Sequence, residues 1–354
     1  MAVLRIAVIG GDGIGPEVID QAIRAAEAAA RKFDSTELAW NKLPWSTAYY
    51  KQHGKMLPDD GWEILRQHDA ILFGAVGDPS VSDKVTVHEL LLPMRRKFDQ
   101  YVNLRPAYLF AGVPCPLVGK KPGDIDMLVY RENTEGEYAP VGGNLYPGTE
   151  HEIAVQTSVF TRRGCDRILR AAFEAARKRP RKKLTSITKS NAQVYSLGLW
   201  DDVFNDVRKD YPDVQSSSLL VDAAAMDFVR KPESFDVVVA SNLFGDILTD
   251  LSAAVTGSIG LASSANVNPT RQFPSMFEPV HGSAPDIAGK GIANPMAAVL
   301  SASLMLQHLG LEKSSVALRD AVAKVLAEAK VKTPDLGGTS TTTQMGDAVV
   351  VAVG

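Results

Sequence analysis

The stretch DVVVASNLFGDILTD, residues 236–250, is the feature that decides the predicted fold. It opens with Val237–Ala240, a short and largely β-branched run that predicts a buried strand. After a polar turn comes a segment in which Asp246 and Asp250 are four residues apart. If this segment is helical, the two carboxylates lie on one face, roughly 6 Å apart along the axis.

Two carboxylates stacked in this way repel each other unless a cation or solvent screens them. A solvated helix face is one interpretation of the pair. The neighbouring side chains favour another, because they are apolar and an ionised aspartate among them needs a partner. A hard divalent ion is the natural partner for such oxygens. The apolar neighbours are Leu243, Phe244, Ile247, Leu248 and Leu251.

The composition is that of an ordinary soluble globular protein. The 354 residues are 45% hydrophobic and 22% charged, with a formal net charge of -3, and the length suffices for two domains. This balance gives no reason to expect nucleic acid or an anionic membrane as a partner. A basic run at 177–183 follows a helical pattern and contains a proline, which favours a solvated helix end over a phosphate-binding patch.

Cysteine usage and the N-terminus indicate the compartment. Cys115 and Cys165 are the two cysteines and form no CxxC pair, so neither a disulfide nor a cysteine-ligated zinc is expected. The N-terminus predicts a strand entering a glycine turn rather than a signal peptide, and no stretch approaches the ~20 apolar residues of a membrane span. We therefore expect a cytoplasmic protein.

Strand patterns followed by helical patterns recur along the chain and predict an α/β fold. The first such unit is a strand at 4–9, a glycine-rich turn at 10–15 and a helix from about Pro16 to Lys32. The turn lacks the GxGxxG spacing of a Rossmann fingerprint. Residues 257–268 and 274–295 are predicted to be loops, and long structured loops are usually functional. Further strands are predicted at 70–74, 126–130, 183–188 and 219–221, and helices at 163–178, 296–308 and 315–329.

Several motifs, taken together and in this order, are similar to those of a known family. They are GGDGIGPEV at 10–18, NLRP at 103–106, RENTEGEY at 131–138, NLFGDILTDL at 242–251 and EPVHGSAPDIAGKGIANP at 278–295. The sequence resembles the isocitrate and isopropylmalate dehydrogenases, which are metal-dependent β-decarboxylating enzymes, over essentially its whole length. FDQYVNLRP, TKSNA and ASNLFGDILTDL most resemble the branch that acts on tartrate and D-malate.

The resemblance implies a two-domain isocitrate/isopropylmalate dehydrogenase-like fold, not a Rossmann fold, with the active-site cleft between the domains. Residues 1–105 and 251–354 would form a large, discontinuous cofactor-binding domain. Residues 106–250 would form a small domain that carries the metal-binding aspartates and a dimerisation arm at about 139–161. The implied assembly is a homodimer with shared active sites.

The resemblance also implies the chemistry, which requires a divalent metal and NAD. Asp246 and Asp250, with Asp222 from a second subunit, would hold Mg²⁺ or Mn²⁺ through carboxylate oxygens. Lys189, also from the second subunit, would take the substrate's hydroxyl proton. Tyr138 would deliver or relay a proton to carbon after decarboxylation.

Substrate recognition is expected from arginines and from the loop before them. Residues 86–93 read TVHELLLP and lack the serine and asparagine that isocitrate enzymes use for a third carboxylate. His88 and Leu91 would line the site, and the pair His88–Glu89 suits either a C3 hydroxyl or solvent. We expect L- or meso-tartrate, and D-malate with decarboxylation to pyruvate and CO2. The alternatives are 3-isopropylmalate as substrate or a non-catalytic regulatory subunit. The carboxylate-binding arginines would be Arg95, Arg105 and Arg131.

The cofactor is expected on the loop that begins at residue 278. Asp286 matches the position that hydrogen-bonds the adenosine ribose in NAD-using members, and a carboxylate there repels a 2′-phosphate. The next residue, Ile287, offers no cation, so NAD is predicted over NADP. The full expected set is Asn191, Glu278, His281, Gly282, Ser283, Ala284, Asp286, Ile287 and Asn294.

Overall fold

The computed structural model describes residues 3–354, and within them the chain divides into two compact units. The first unit holds the chain up to Gln100, Arg105–Ile125 and Ala253–Gly354. The second unit holds Tyr101–Leu104 and Asp126–Ser252.

Strands and helices alternate along most of the chain, which is the arrangement that the sequence predicts. The strands are β1 (Val3–Gly11), β2 (Glu37–Leu43), β3 (Ala70–Ala75), β4 (Val102–Tyr108), β5 (Asp126–Glu132), β6 (Gly142–Leu145), β7 (Ile153–Gln156), β8 (Lys183–Thr188), β9 (Gln215–Leu220), β10 (Val237–Ala240), β11 (Ser263–Val267) and β12 (Ser275–Pro279). The α-helices are α1 (Gly15–Phe33), α2 (Thr47–His53), α3 (Gly61–Arg66), α4 (Asp83–Thr86), α5 (Leu92–Lys97), α6 (Arg162–Lys178), α7 (Ser196–Val207), α8 (Val221–Arg230), α9 (Asn242–Val255), α10 (Met296–His308), α11 (Glu312–Glu328) and α12 (Thr342–Val353). A π-helical turn occupies Val87–Leu91, and 3-10 turns occupy Arg208–Asp210, Pro232–Ser234, Ile259–Leu261 and Pro334–Leu336.

In the first unit, five strands follow the order β2-β1-β3-β12-β11. β1 pairs in parallel with β2 and β3, β3 pairs in parallel with β12, and β12 pairs antiparallel with β11. The register places Ile6 beside Ala70 and Ala70 beside Ser275. Every residue of β3 is buried, as expected for a parallel strand covered on both faces. Helices α1, α10, α11 and α12 pack together in this unit.

In the second unit, four parallel strands follow the order β5-β10-β8-β9. β10 lies inside this set, with Val237 beside both Leu128 and Leu184, and all four of its residues are buried. Helix α6 packs on β5, β8 and β10. β6 and β7 form a separate antiparallel hairpin whose strand residues are all exposed.

The predicted α/β class is confirmed, and two local predictions are wrong. Residues 257–268 were expected to be irregular but contain β11, and the expected loop at 274–295 begins with β12. Both strands are only five residues long, and β11 carries the buried polar residues Ser263 and Ser264. Apolar periodicity does not mark such strands, because their pairing with distant strands defines them: β11 pairs with β12, and β12 pairs with β3 as well. Over residues 3–354, no helix combines the length and the apolar character that crossing a bilayer requires.

Candidate active site

β10 and α9 together position the two aspartates of the second unit. The chain leaves the buried strand β10 at Ser241 and enters α9 at Asn242. Since α9 is helical throughout, Asp246 and Asp250 lie one turn apart on the same face. The Asp246 side chain is 32% exposed and Asp250 is exposed, so a ligand can reach both carboxylates from solvent.

Two residues of the RENTEGEY segment hold Asp246. Arg131, in β5, is 1% exposed, and its Nη1 donates a hydrogen bond to Asp246 Oδ1. The Tyr138 hydroxyl donates to Asp246 Oδ2 at 2.9 Å, and the Arg131 guanidinium lies 5.5 Å from the centroid of the Tyr138 ring. The structure therefore brings together a predicted carboxylate-binding arginine, a predicted metal ligand and the predicted proton donor. This trio is called the aspartate cluster below.

The Tyr138 phenol is weakly acidic in this setting. Burial, followed by the charge of Asp246, raises its pKa to about 12. Both causes disfavour the phenolate, because a second negative charge would be placed beside Asp246 in a partly buried site. At neutral pH, Tyr138 therefore carries its proton.

The direction of the Arg131 side chain is fixed by α9. Asn242 Oδ1 accepts from Arg131 Nε at 3.0 Å and from Nη2 at 2.7 Å, while Asn242 Nδ2 donates to the Glu135 carbonyl at 3.0 Å. A Cβ at Gly245 would come within 2.6 Å of Arg131 Cγ, so the arginine stem occupies the space that this glycine leaves. Asn242 is not among the predicted site residues. Its one signal was a polar residue in a turn between two apolar runs.

Lys189 and Asp222 form a second, separate pair. β8 and β9 are parallel neighbours with Thr188 beside Leu220, so both residues follow at the carboxyl ends of these strands. Lys189 Nζ lies 2.9 Å from Asp222 Oδ1, and this hydrogen bond lowers the pKa of Asp222. The Asp222 side chain is 60% exposed. Asn191 is exposed two residues beyond Lys189.

One chain does not gather the three predicted metal ligands. Within residues 3–354, no group of three or more histidine, cysteine, aspartate or glutamate side chains is arranged to hold a metal ion. Asp246 and Asp250 supply two carboxylates from α9, whereas Asp222 lies with Lys189. A metal bound to two carboxylates from one chain therefore needs further ligands from elsewhere.

In the first unit, the predicted cofactor loop leaves β12. His281 is buried, and burial lowers its pKa. Its Nδ1 lies 3.0 Å from the Gly282 carbonyl, and its Nε2 has no hydrogen-bond partner among residues 3–354. A buried ring nitrogen without a partner is a feature that a bound polar ligand would satisfy.

The same loop is fastened to the glycine-rich turn. Ile14 N donates to the Ser283 carbonyl at 2.9 Å, and Gly13, at φ +58°, approaches this carbonyl so closely that a Cβ would lie 1.9 Å from it. Asp12 is buried in the turn, where it accepts from Thr47 N at 2.9 Å and Gly77 N at 3.0 Å. Asp12 is not among the predicted site residues, although it stands as an acidic residue between two glycines in the sequence.

The remaining cofactor residues differ in their surroundings. Asn294 is buried and donates to Asp335 Oδ2 at 2.9 Å, whereas Asp286 is exposed at the turn of the loop. Gly282 is exposed as well, and Ala284 and Ile287 are half-buried. Asp286 is therefore accessible to a ligand, while Asn294 holds the end of the loop.

Arg95 and Glu278 contact each other, which the sequence did not predict. Arg95, in α5, is buried and its Nη2 lies 3.1 Å from Glu278 Oε1, which also accepts from Asn266 Nδ2 at 2.8 Å. Arg105 is buried in β4. In the π-helical turn before α5, His88 is exposed and Leu91 is half-buried.

Comparison with known proteins identifies the family. The family model described as isocitrate/isopropylmalate dehydrogenase matches residues 5–349. The chain is 53% identical to D-malate dehydrogenase [decarboxylating] of Escherichia coli (strain K12), over 99% of this chain and 98% of that protein. It is 52% identical to tartrate dehydrogenase/decarboxylase of Pseudomonas putida, over 98% and 96%. The crystal structure of isocitrate dehydrogenase from Methylococcus capsulatus aligns with a TM-score of 0.89 at 35% identity, covering 100% of this chain and 99% of that one.

The chain belongs to the isocitrate/isopropylmalate dehydrogenase family. The predicted family and the predicted isocitrate/isopropylmalate dehydrogenase-like α/β fold are thereby confirmed.

Proposed function

We propose that this protein oxidises a small 2-hydroxy dicarboxylic acid with NAD and a divalent metal. The substrates are L- or meso-tartrate, and D-malate with decarboxylation to pyruvate and CO2. The names of the two relatives that are 53% and 52% identical over nearly the full length support the reaction and the substrate class. The single structural observation that carries the proposal is the aspartate cluster of Arg131, Asp246 and Tyr138.

The donor set suits Mg²⁺ or Mn²⁺. Asp246 and Asp250 offer hard oxygen ligands one helical turn apart, and the exposed carboxylate of Asp222 from a second copy of the chain would complete the set. When bound, the ion polarises the oxygens of the substrate's carboxylate and 2-hydroxyl.

The protein's own residues then divide the remaining work. Arg95, Arg105 and Arg131 bind the substrate's carboxylates through charge-assisted hydrogen bonds. Lys189 takes the hydroxyl proton, and bound NAD would supply the acceptor for the hydride from C2. When the C3–carboxylate bond breaks and CO2 departs, its electron pair stays at C3, and Tyr138 donates the proton that completes the product.

The cofactor loop supports NAD as the oxidant. The buried Nε2 of His281 is available to a polar group of the cofactor. The exposed carboxylate of Asp286 would accept hydrogen bonds from ribose hydroxyls and would repel a 2′-phosphate. The comparison of NADH and NADPH formation rates tests this preference, and equal rates would contradict it.

Exposed apolar surface in the second unit supports a homodimer. The β6–β7 hairpin exposes Leu145, Ile153 and Val155, and a two-stranded hairpin is marginally stable alone in water. On α9, beside the aspartates, Ile247 is 56% exposed. A second copy of the chain would cover this surface and bring its Lys189–Asp222 pair to the aspartate cluster.

Cys115 and Cys165 form no disulfide, which suits the cytoplasm as the compartment.

A substrate panel tests the proposal directly. Purified protein with NAD and Mn²⁺ is given D-malate, L-tartrate, meso-tartrate, 3-isopropylmalate or isocitrate, and NADH and CO2 are followed together. We expect NADH from D-malate and from a tartrate, with one CO2 per NADH for D-malate. Preference for 3-isopropylmalate would contradict the substrate, and no NADH with any acid would indicate a non-catalytic subunit.

A further inference from the structure

We propose that Glu137 is a positioning residue, which fixes the start of α9 relative to Tyr138 and so sets the place of Asp246 for the metal. This inference rests on the proposed function, because it assigns Glu137 a purpose through Asp246 and Tyr138. Glu137 itself belongs to none of the ligand or proton-transfer sets described above.

The Glu137 carboxylate joins two segments. It is 8% exposed, and its Oε1 accepts from the Ser241 hydroxyl at 2.7 Å. Its Oε2 accepts from Leu243 N at 3.0 Å. Ser241 is fully buried at the end of β10, and Leu243 lies in the first turn of α9. One side chain therefore bridges the junction between the strand and the helix.

The first turn of a helix leaves backbone N–H groups without partners inside the helix. A carboxylate at this end satisfies such a group and interacts favourably with the helix dipole. Because α9 is a continuous helix, fixing Leu243 also fixes Asp246 three residues later. Glu137 thus caps α9 from a distant segment.

The bridge closes a ring of contacts. Tyr138 directly follows Glu137, and its hydroxyl donates to Asp246 Oδ2 at 2.9 Å. Two hydrogen bonds and continuous backbone form this ring. It runs from Glu137 to Leu243, along α9 to Asp246, and back through Tyr138. Moving the start of α9 therefore moves Asp246 relative to the phenol, and the two cannot be displaced independently.

The chain offers a matched control in Glu135. Its carboxylate also accepts one backbone N–H and one hydroxyl, from Thr161 N at 2.9 Å and Thr161 Oγ at 2.8 Å. Thr161 is the N-cap residue directly before α6, and α6 carries none of the predicted metal, substrate or proton-transfer residues. Substitution of Glu135 therefore removes the same kind of cap from a helix outside the proposed site.

The test compares Glu137→Met with Glu135→Met in the full-length protein. The dissociation constant for Mn²⁺ is measured without substrate or NAD, from the electron paramagnetic resonance signal of free Mn²⁺. Loss of a residue that orients a metal ligand weakens metal binding by about 10- to 100-fold, and we expect this for Glu137→Met. We expect Glu135→Met to keep wild-type Mn²⁺ affinity, and unfolding in urea measures the stability that each variant loses.

Two conservative variants make the test robust. Glu137→Gln should restore Mn²⁺ affinity, because its amide oxygen accepts from Leu243 N while its NH₂ group donates to the Ser241 hydroxyl, which also accepts hydrogen bonds. Glu137→Asp is one methylene too short to reach both donors, so it should weaken Mn²⁺ binding even if Glu137→Met does not fold. Wild-type affinity in a folded Asp or Met variant would overturn the proposal. Equal weakening by the Met substitutions at 135 and 137 would do the same.

A further variant separates this inference from the proposed function. If Asp246→Asn binds Mn²⁺ as tightly as wild type, Asp246 is not a metal ligand, and both proposals fall. If Asp246→Asn weakens binding and Glu137→Met does not, the proposed function stands and the role of Glu137 is refuted.

Discussion

At Gly245, one added methyl group should lower the enzymatic activity strongly while changing the free energy of unfolding only slightly. In α9, a Cβ at this residue would lie 2.6 Å from Cγ, 2.7 Å from Cβ and 3.2 Å from Cδ of Arg131. Ordinary carbon–carbon contacts are about 3.5–4.0 Å, so Gly245→Ala requires the Arg131 stem to move by about 1 Å. Arg131 is buried and bonded to Asn242 and Asp246, so this movement disturbs those bonds.

The expected change in stability is small because two effects oppose each other. Inside a helix, alanine stabilises the folded state by about 1 kcal/mol relative to glycine. Crowding in a packed region costs about 1–3 kcal/mol. The unfolding free energy should therefore fall by no more than about 2 kcal/mol. Activity is more sensitive, because displacement of a substrate-positioning group by about 1 Å reduces the rate about 100-fold.

Gly198→Ala is the matched control for this experiment. Gly198 lies in α7 of the same unit, and a Cβ there would meet no atom within 4 Å. We expect the free energy of unfolding of this variant to rise by about 1 kcal/mol and its kcat to equal that of the wild type. The assays are NADH formation from D-malate at saturating NAD and Mn²⁺, and unfolding in urea. A folded Gly245→Ala protein with kcat/KM near that of wild type would refute the packing of Arg131 on α9.

Three further predictions concern a phenol, a shared site and a buried histidine. Tyr138→Phe should slow release of pyruvate and CO2 from D-malate by about 100-fold because it removes the proposed proton donor, and equal release would exclude this role. If the proposed homodimer shares its sites, Lys189→Ala and Asp246→Ala proteins should each be inactive, and after subunit exchange the mixture should regain about a quarter of wild-type activity, because each mixed dimer restores one site. Burial, with Arg271 nearby, lowers the pKa of His308 from 6.5 to about 4, so the folded state binds fewer protons between these values. The contribution of His308 to the free energy of unfolding, up to about 3 kcal/mol, is complete above pH 6.5 and is lost as the pH falls to 4. Urea unfolding measured across this range should show that His308→Gln abolishes this pH dependence, whereas His53→Gln does not.

The local sequence pattern was sufficient to predict the strand and the helix that carry the proposed site residues. Val237–Ala240 is a buried strand because β-branched residues pack between two parallel neighbours, and the spacing of Asp246 and Asp250 placed them on one helix face. The strand Lys183–Thr188 and the helix Met296–His308 have the predicted bounds. Each of these features depends on residues within a few positions of one another, which is what periodicity can detect.

Such patterns do not predict contacts between residues that are far apart in the sequence. Arg95 pairs with Glu278 across 183 positions, and Arg131 pairs with Asn242 across 111. The partner of a buried arginine depends on how the elements pack, and a single sequence contains no direct signal for it. For the same reason, Asn242 was read only as part of a turn.

The spacing within NLFGD follows from these contacts. Asn242, Gly245 and Asp246 lie at helical offsets of 0, 3 and 4, so all three share one face of α9. Arg131 lies against that face: Asn242 accepts from two of its nitrogens, Gly245 leaves room for its stem, and Asp246 accepts from the third. A side chain at 245 would exclude the arginine, and loss of the amide at 242 would leave two buried donors without that acceptor. The motif therefore binds an arginine in addition to supplying the proposed metal ligands. These two uses explain why an uncharged glycine and asparagine accompany the aspartate.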